Sequence, residues 1–391
     1  MKLITVSSSL TLILFTVTCA CFASTGQPFY GDPPDGHHAW CVHDWNRPQP
    51  PRVEPKPLVD AKPPTDAVVL FDGSAAALAN WEADKPGSEA TKWIVNDGVF
   101  QCVPKSGYVR TKAQFGDCKL HVEWAAPTPP QGESQGRGNS GIFLMGLVEI
   151  QVLDNYENPT YADGFACSVY GVNPPLANAL RPPGEWQQID IEYRHPVYRD
   201  GQCVVPGFVT VYCNGVLVQD HTQLEGPTGH KTRSKPGPFL EAGPLKLQDH
   251  GNPVRYRNIW YQPLPPRTAN EVVKQSPLSA EATLAKRKEI AATIRESAKK
   301  MPEQSVDRML RLAESLVYEK DEATYNDTER LAGAYASSIK LLSSDQLQAK
   351  KDEVKGVFKA FQYLAKFKII DANDAAWTEI ASIVKAHGWE K

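Results

Sequence analysis

Residues 208–218 read Phe208-Val209-Thr210-Val211-Tyr212-Cys213-Asn214-Gly215-Val216-Leu217-Val218. Two runs of β-branched, aromatic and aliphatic residues meet across Asn-Gly, the pair that best accepts the positive φ angles of a tight hairpin turn. The same figure occurs upstream, where Trp93-Ile94-Val95 and Val99-Phe100 straddle Asn96-Asp97-Gly98. Between the two hairpins, Leu120, Val122 and Trp124 alternate with Lys119, His121 and Glu123. Ile189 and Ile191 alternate with Gln188, Asp190 and Glu192. A period of two predicts strands with one face in the core and the other in water. From Ala67 to Leu264 short strands and turns follow one another without intervening helices, which predicts a mainly β, antiparallel β-sandwich or barrel.

After Arg267 the composition changes: 30 of the 32 Pro and all 8 Cys come before it. The remainder reads as helices over 281–300, 306–320, 322–342, 345–366 and 374–387. Spacings such as Met309, Leu312, Leu316 and Val354, Phe358, Phe361 each line one helical face. A C-terminal α-helical bundle over 268–391 is expected, with no catalytic motif in it. A chain of 391 residues suits two folded domains at roughly 150 residues each. With 42 Lys and Arg against 45 Asp and Glu, it has no broad positive field. Nucleic acid and anionic membrane surfaces are thereby excluded as partners.

Residues 1–23 have one early charge (Lys2), an apolar run from Leu10 to Val17 and the small-residue ending Ala20-Cys21-Phe22-Ala23. That is the layout of a cleaved signal peptide, and it predicts export to the periplasm or the extracellular space. The apolar run is shorter than the about 20 residues a membrane span needs, and no other segment approaches that length. Cleavage would leave Cys41, Cys102, Cys118, Cys167, Cys203 and Cys213. An even number in an exported chain fits disulfides, with Cys203–Cys213 as a local bridge; buried free thiols fit equally. Residues 24–66 form a Pro-rich arm, expected to be extended and to lie on another surface. It contains His37-His38-Ala39-Trp40-Cys41-Val42-His43-Asp44-Trp45, rich in metal-ligand types, but no paired ligand motif follows, so a Trp-anchored strap is expected there.

The chemistry is concentrated in two stretches. In Gly136-Arg137-Gly138-Asn139-Ser140-Gly141, followed by Val148-Glu149-Ile150-Gln151-Val152, the glycine loop lacks the Lys-Ser/Thr of a phosphate cradle. The strand after it puts Val148, Ile150 and Val152 inward and displays Glu149 and Gln151 side by side. In Leu245-Lys246-Leu247-Gln248-Asp249-His250 the alternation turns Lys246, Gln248 and His250 outward. If both strands share a sheet, one polar face carries a carboxylate, an imidazole and amides, a set suited to acid–base chemistry. An ordinary solvent face gives the same pattern.

Leu70-Phe71-Asp72-Gly73, Asn139-Ser140-Gly141-Ile142, Glu149-Ile150-Gln151-Val152-Leu153-Asp154, Tyr170, Gly184-Glu185-Trp186-Gln187, Asn214-Gly215 and Leu247-Gln248-Asp249-His250-Gly251 occur in that order. Together they resemble the 3-keto-disaccharide hydrolase family over residues 67–264. The resemblance implies a concanavalin-like jelly-roll sandwich and an oligosaccharide or glycoside substrate oxidised at C3. The C2 proton of such a sugar is acidic, so a base removes it, the C1 oxygen leaves and water adds. On this resemblance Glu149 and His250 are the catalytic residues, and Gln151, Asn139, Lys246, Gln248 and Tyr170 bind substrate. Standard glycoside hydrolysis instead uses two carboxylates about 5–10 Å apart, and here the second position is Gln151. No cofactor or metal is firmly implied; a divalent metal between Glu149 and His250 is left open. Asp154 and Asp249 fall near turns, where Asp caps backbone donors, and Arg257 suits a clamp on the sheet. The alternative is a lectin-like module that binds carbohydrate without cleaving it.

Overall fold

The computed structural model describes residues 29–390 apart from 86, 88, 238, 266 and 268–273. The expected signal peptide therefore lies outside the described residues. Three short strands, β1 (Val68–Phe71), β2 (Trp81–Ala83) and β3 (Ile94–Asn96), lead to β4 (Val99–Gln101), β5 (Val109–Thr111) and β6 (Cys118–Ala125). The hairpin β7 (Ser140–Leu144) and β8 (Val148–Val152) follows, then β9 (Gln187–Arg194), β10 (Val197–Arg199) and β11 (Gln202–Val205). β12 (Gly207–Cys213), β13 (Val216–Leu224), β14 (Lys246–Leu247) and β15 (Arg255–Pro263) complete the strands. One sheet runs β13-β12-β9-β6-β15-β4-β3, with β1 on β15, and the second runs β2-β5-β14-β7-β8. Every pairing between these strands is antiparallel.

The chain is a mainly β, antiparallel sandwich with a helical C-terminal part. Between its sheets lie Val122, Trp124, Ile189, Ile191 and Tyr256 from one side and Ile142, Leu144, Val148, Ile150, Val152 and Leu247 from the other. Both expected hairpins form. Asp97 (φ 49°) and Gly98 (φ 74°) join β3 to β4, and Asn214 (φ 49°) and Gly215 (φ 74°) join β12 to β13, the positive-φ pairs of a type I′ turn.

The expected wet face of the first sheet is a correction. Lys119 and Asp190 are exposed, yet His121, Glu123 and Gln188 are buried. The Pro-rich arm runs over Gln188 and Asn258, and the Trp260 ring stacks on His121 at 5.0 Å. Val59 N–H donates to Gln188 Oε1 (3.2 Å), and Asn258 Nδ2 donates to the Ala61 carbonyl (2.8 Å). His121 is held by Asp190 (2.7 Å), and Glu123 accepts from Arg257 Nε (2.6 Å) and Asn258 (3.0 Å). Burial alone would raise Glu123, but hydrogen bonds from His121, Asn258 and Arg257 outweigh it and hold the carboxyl at about 2.

The Cys203–Cys213 bridge is also corrected, since all six described cysteines are free. Cys203 sits exposed on the separate β10–β11 ribbon, whereas Cys213 ends β12 with its side chain in the core. The helices are α1 (Ala280–Lys299), α2 (Val306–Tyr318), α3 (Glu322–Lys340), α4 (Ser344–Ala349), α5 (Lys351–Lys366) and α6 (Ala375–Ala386). The single helix expected over 345–366 is broken at Lys350 (φ −95°, ψ 7°), so that α4 starts from the Ser343 capping box and α5 buries Val354, Val357, Phe358, Phe361 and Leu364. Among the described residues no helix is long and apolar enough to cross a membrane.

Candidate active site

β7 and β8 pair so that Gly141 faces Gln151 and Phe143 faces Glu149. Val148, Ile150 and Val152 enter the core, so Glu149 and Gln151 share the outer face as their spacing predicts. That face is not wet. Glu149 is 5% and Gln151 1% exposed, because chain segments line the free edge of β8. Tyr170 N–H donates to the Glu149 carbonyl (3.1 Å), Gln151 N–H to the Ser168 carbonyl (3.1 Å), and Glu149 N–H to Thr228 Oγ1 (2.9 Å).

The Glu149 carboxyl lies over Gly141, where a Cβ would overlap its Oε1. On the other side of Gly141, the N–H of Gln248 donates to the Gly141 carbonyl (3.0 Å). The carboxyl thus lies beside the Phe143 ring, on the face that also carries the Gln151 and Gln248 side chains. Among the described residues no hydrogen bond or ion pair reaches it, and burial pushes it up to about 8.

The amides around it spend their nitrogens on the protein. Gln151 Nε2 donates to Gln135 Oε1 (2.9 Å), Asn139 Nδ2 to the Gln135 carbonyl (2.7 Å) and Gln248 Nε2 to the Tyr108 hydroxyl (2.8 Å). Their oxygens, Gln151 Oε1, Asn139 Oδ1 and Gln248 Oε1, are buried without a partner. A buried acceptor left unpaired costs about 1–3 kcal/mol. Three of them beside an unpartnered carboxyl make a face ready for hydroxyl donors.

Lys246 shares the sheet, but its Nζ pairs with Asp84 (2.9 Å), and Arg110 pairs with Glu82 (2.8 Å) on the next strand. This row of ion pairs bounds one end of the face. His250 lies on the exposed turn after β14, and no hydrogen bond joins it to Glu149. Asp249 in that turn accepts the N–H groups of Gly107 and Gly251 (both 2.9 Å). Asp154 accepts from Tyr156 N–H (3.1 Å) and pairs with Arg137. Both act as turn caps. Arg257, clamped on Glu123, lies 4.1 Å over the Trp186 ring on the opposite sheet, so neither belongs to this face.

Tyr170 is buried with its hydroxyl in a chain: 2.9 Å to the Tyr161 hydroxyl and 3.1 Å to His230 Nδ1. Partial burial, then the charges of His43, Lys231 and His250, hold the His230 imidazolium below its usual range. Beside this chain stands His43, with its Nδ1 3.2 Å from Asp163 Oδ1 and its ring stacked on Tyr161 at 4.1 Å. Among the described residues no group of three or more His, Cys, Asp or Glu side chains could hold a metal ion.

Residues 66–262, just over half of the chain, match the family model of the 3-keto-alpha-glucoside-1,2-lyase-like domain. The chain belongs to this family. A solved structure from Parabacteroides distasonis, described as a candidate glycosyl hydrolase, is 44% identical, with a TM-score of 0.50 over 56% of this chain and 93% of that one. A second structure from the same organism, described in the same words, is 17% identical with a TM-score of 0.37, covering 54% of this chain and 100% of its own. No curated protein matches the chain.

Within the lyase-like domain, Glu149, Gln151 and Gln248 share one face as the alternation predicts, and Gln135 links Asn139 to Gln151. The sequence pattern is silent on the rest. It missed Gly141 as the floor under the carboxyl, and it missed Gln135, Tyr161, Asp163 and His230. These come from irregular segments with no period to read, and His43 and His230 are 187 residues apart. Only the density of His and Trp around His43 marked that stretch as unusual.

Proposed function

We propose that the protein cleaves 3-keto-glycosides by proton abstraction and elimination, with Glu149 as the base. One observation carries the reading: a buried carboxyl without a partner, on the same sheet face as unpaired amide oxygens. A carboxylate whose conjugate acid titrates near 8 is a far stronger base than an ordinary one, and it still ionises at working pH. It takes the C2 proton of a sugar whose C3 is a ketone, and the electron pair of that C–H bond passes into a C2–C3 enolate. Collapse of the enolate breaks the C1–O bond and leaves a C1=C2 double bond conjugated with the ketone. The departing oxygen takes a proton from the Tyr170 hydroxyl, which the chain to Tyr161 and His230 orients. Addition of water across C1=C2 completes a net hydrolysis.

Gln151, Asn139 and Gln248 offer their free oxygens to sugar hydroxyls, while Lys246 and His250 close the rim. Export rests on the pattern of residues 1–23, and N-terminal sequencing of the mature protein tests it. For the activity, the purified protein is mixed with a 3-keto-disaccharide and, separately, with its unoxidised parent. Release of monosaccharide from the ketone alone supports the reading. Cleavage of both contradicts it, and binding without cleavage of either favours the lectin-like alternative.

A further inference from the structure

The helical bundle has no residue in the site, yet it grips the arm that does. Ala39 lies in the helical core, with Phe29, Trp40 and Cys41 packed against it. Tyr363 of α5 donates its hydroxyl to the Gly31 carbonyl (2.8 Å) and packs its ring 5.3 Å from Phe29. Trp40 meets Tyr318 of α2 edge to face at 6.5 Å, and Asn46 Nδ2 donates to Glu314 Oε1 (2.7 Å).

Between these grips the arm turns its other side to the sandwich. His43, fully buried, takes a left-handed backbone (φ 61°), which non-glycine residues adopt rarely and keep only where their surroundings fix it. Its N–H and Nδ1 both meet the Asp163 carboxylate, its Nε2 is buried without a partner, and its ring centroid is 4.8 Å from Tyr170 and 5.4 Å from His230. The loop carrying His230 is stitched to the same arm. Arg233 N–H donates to Asp32 (2.8 Å), its guanidinium to the Trp40 carbonyl (2.8 Å), and Asp32 N–H to the Lys231 carbonyl (2.9 Å). Tyr30 adds a ring 5.8 Å from His43 and 5.8 Å from His230, with the Lys231 ammonium 3.8 Å above it.

We propose that the arm and the helical bundle together are a positioning device for the active site: the bundle holds the arm, and His43, anchored on Asp163, fixes the Tyr161–Tyr170–His230 chain beside Glu149. The inference rests on the proton-transfer role given to Tyr170 above. His43 is a positioning residue, acting on the sugar through Tyr170. This gives the helical part of the chain a function that its lack of any motif concealed.

The test uses the full chain with two substitutions of different chemistry. His43→Phe keeps a ring against Tyr161 but loses the Asp163 bond, and His43→Asn keeps a donor to Asp163 but loses the stack. On a 3-keto-disaccharide, kcat is expected to fall at least about 10-fold for His43→Phe and less for His43→Asn, with KM changed less than about 3-fold. Tyr363→Phe, at the grip on the bundle, should move kcat in the same direction by a smaller factor.

A second readout needs no substrate: the ring-proton NMR titration of His230. The groups facing that imidazole are His43, Tyr170, Tyr30, Lys231 and His250. Burial is the main cause that holds this imidazole low and His43 a further one, so substituting His43 should raise its midpoint part of the way toward the usual histidine range. Folded variants whose kcat is unchanged overturn the proposal, whether or not the His230 titration moves. If the wild type leaves the ketone uncleaved, the proposed activity fails by itself. The titration then decides the positioning claim, a shift supporting it and no shift overturning it.

Discussion

Glu149→Gln tests the physical basis of the site apart from its chemistry. In the folded protein burial raises this carboxyl from 4.5 to about 8 with no opposing interaction. Between those two pH values the folded state therefore keeps a proton that the unfolded state has released, and stability falls as pH rises through the window. At about 1.4 kcal/mol per pH unit of separation, the penalty on the wild type is near zero at pH 4, about 3 kcal/mol at pH 7 and about 5 kcal/mol above pH 9. Glutamine has the same shape and no charge to desolvate. The variant should therefore be inactive and more stable than the wild type. For a sandwich of this size, about 3 kcal/mol corresponds to a rise in Tm of roughly 6–12 °C at pH 7, shrinking to nothing at pH 4. Thermal unfolding of both proteins across pH 4 to 9 measures it. A variant whose Tm difference from the wild type is flat with pH would show that Glu149 is not desolvated, and the argument for its basicity would go with it.

The other substitutions probe the surroundings of that carboxyl. Gly141→Ala places a methyl group on Oε1 of Glu149 and should cost about 100-fold in kcat from displacement of the base, while secondary structure by circular dichroism stays intact. Asn139→Ala and Gln248→Ala each remove an acceptor reserved for a sugar hydroxyl and should raise KM about 5- to 20-fold, at about 1–2 kcal/mol per lost bond, as steady-state kinetics on the ketone will show. Under the strap, Glu123 is held at about 2. Its stabilising effect is present above its ordinary value of 4.5 and is lost as pH falls toward 2. Glu123→Gln should therefore lower stability by about 1.5–3 kcal/mol at pH 7 and by much less at pH 2.5, read from thermal unfolding at both.

The contrast between what local pattern reveals and what it hides follows from range. Asn214-Gly215 and Asp97-Gly98 set their hairpins through their own backbone preferences, so a few residues suffice to read them. Glu149 and Gln151 share a face because strands alternate, which again is local. Whether a face is wet depends on distant chain. His121 and Glu123 carry the alternation of exposed residues, but Trp260 stacks on His121, Arg257 and Asn258 close over Glu123, and the arm at 59–61 ties down Gln188 and Asn258. The same limit applies to the site. The basicity of Glu149 comes from burial beneath segments around Tyr170 and Thr228, and the Tyr161–Tyr170–His230 chain joins parts of the sequence that share no pattern. His250 follows the alternation rule to the end of its strand, and the turn then leaves it exposed, near enough to His230 for its charge to act there.

The claim that matters most is that the C2 proton of the sugar leaves before the C1 bond breaks. Cleavage of a 3-keto-disaccharide in deuterated water, followed by NMR at the earliest measurable conversion, examines that step alone. Elimination and hydration predict deuterium at C2 of the released keto-sugar. A product that keeps its original C2 proton, together with a rate unchanged when C2 of the substrate carries deuterium, would mean direct displacement at C1, and Glu149 would not be the base assigned to it here.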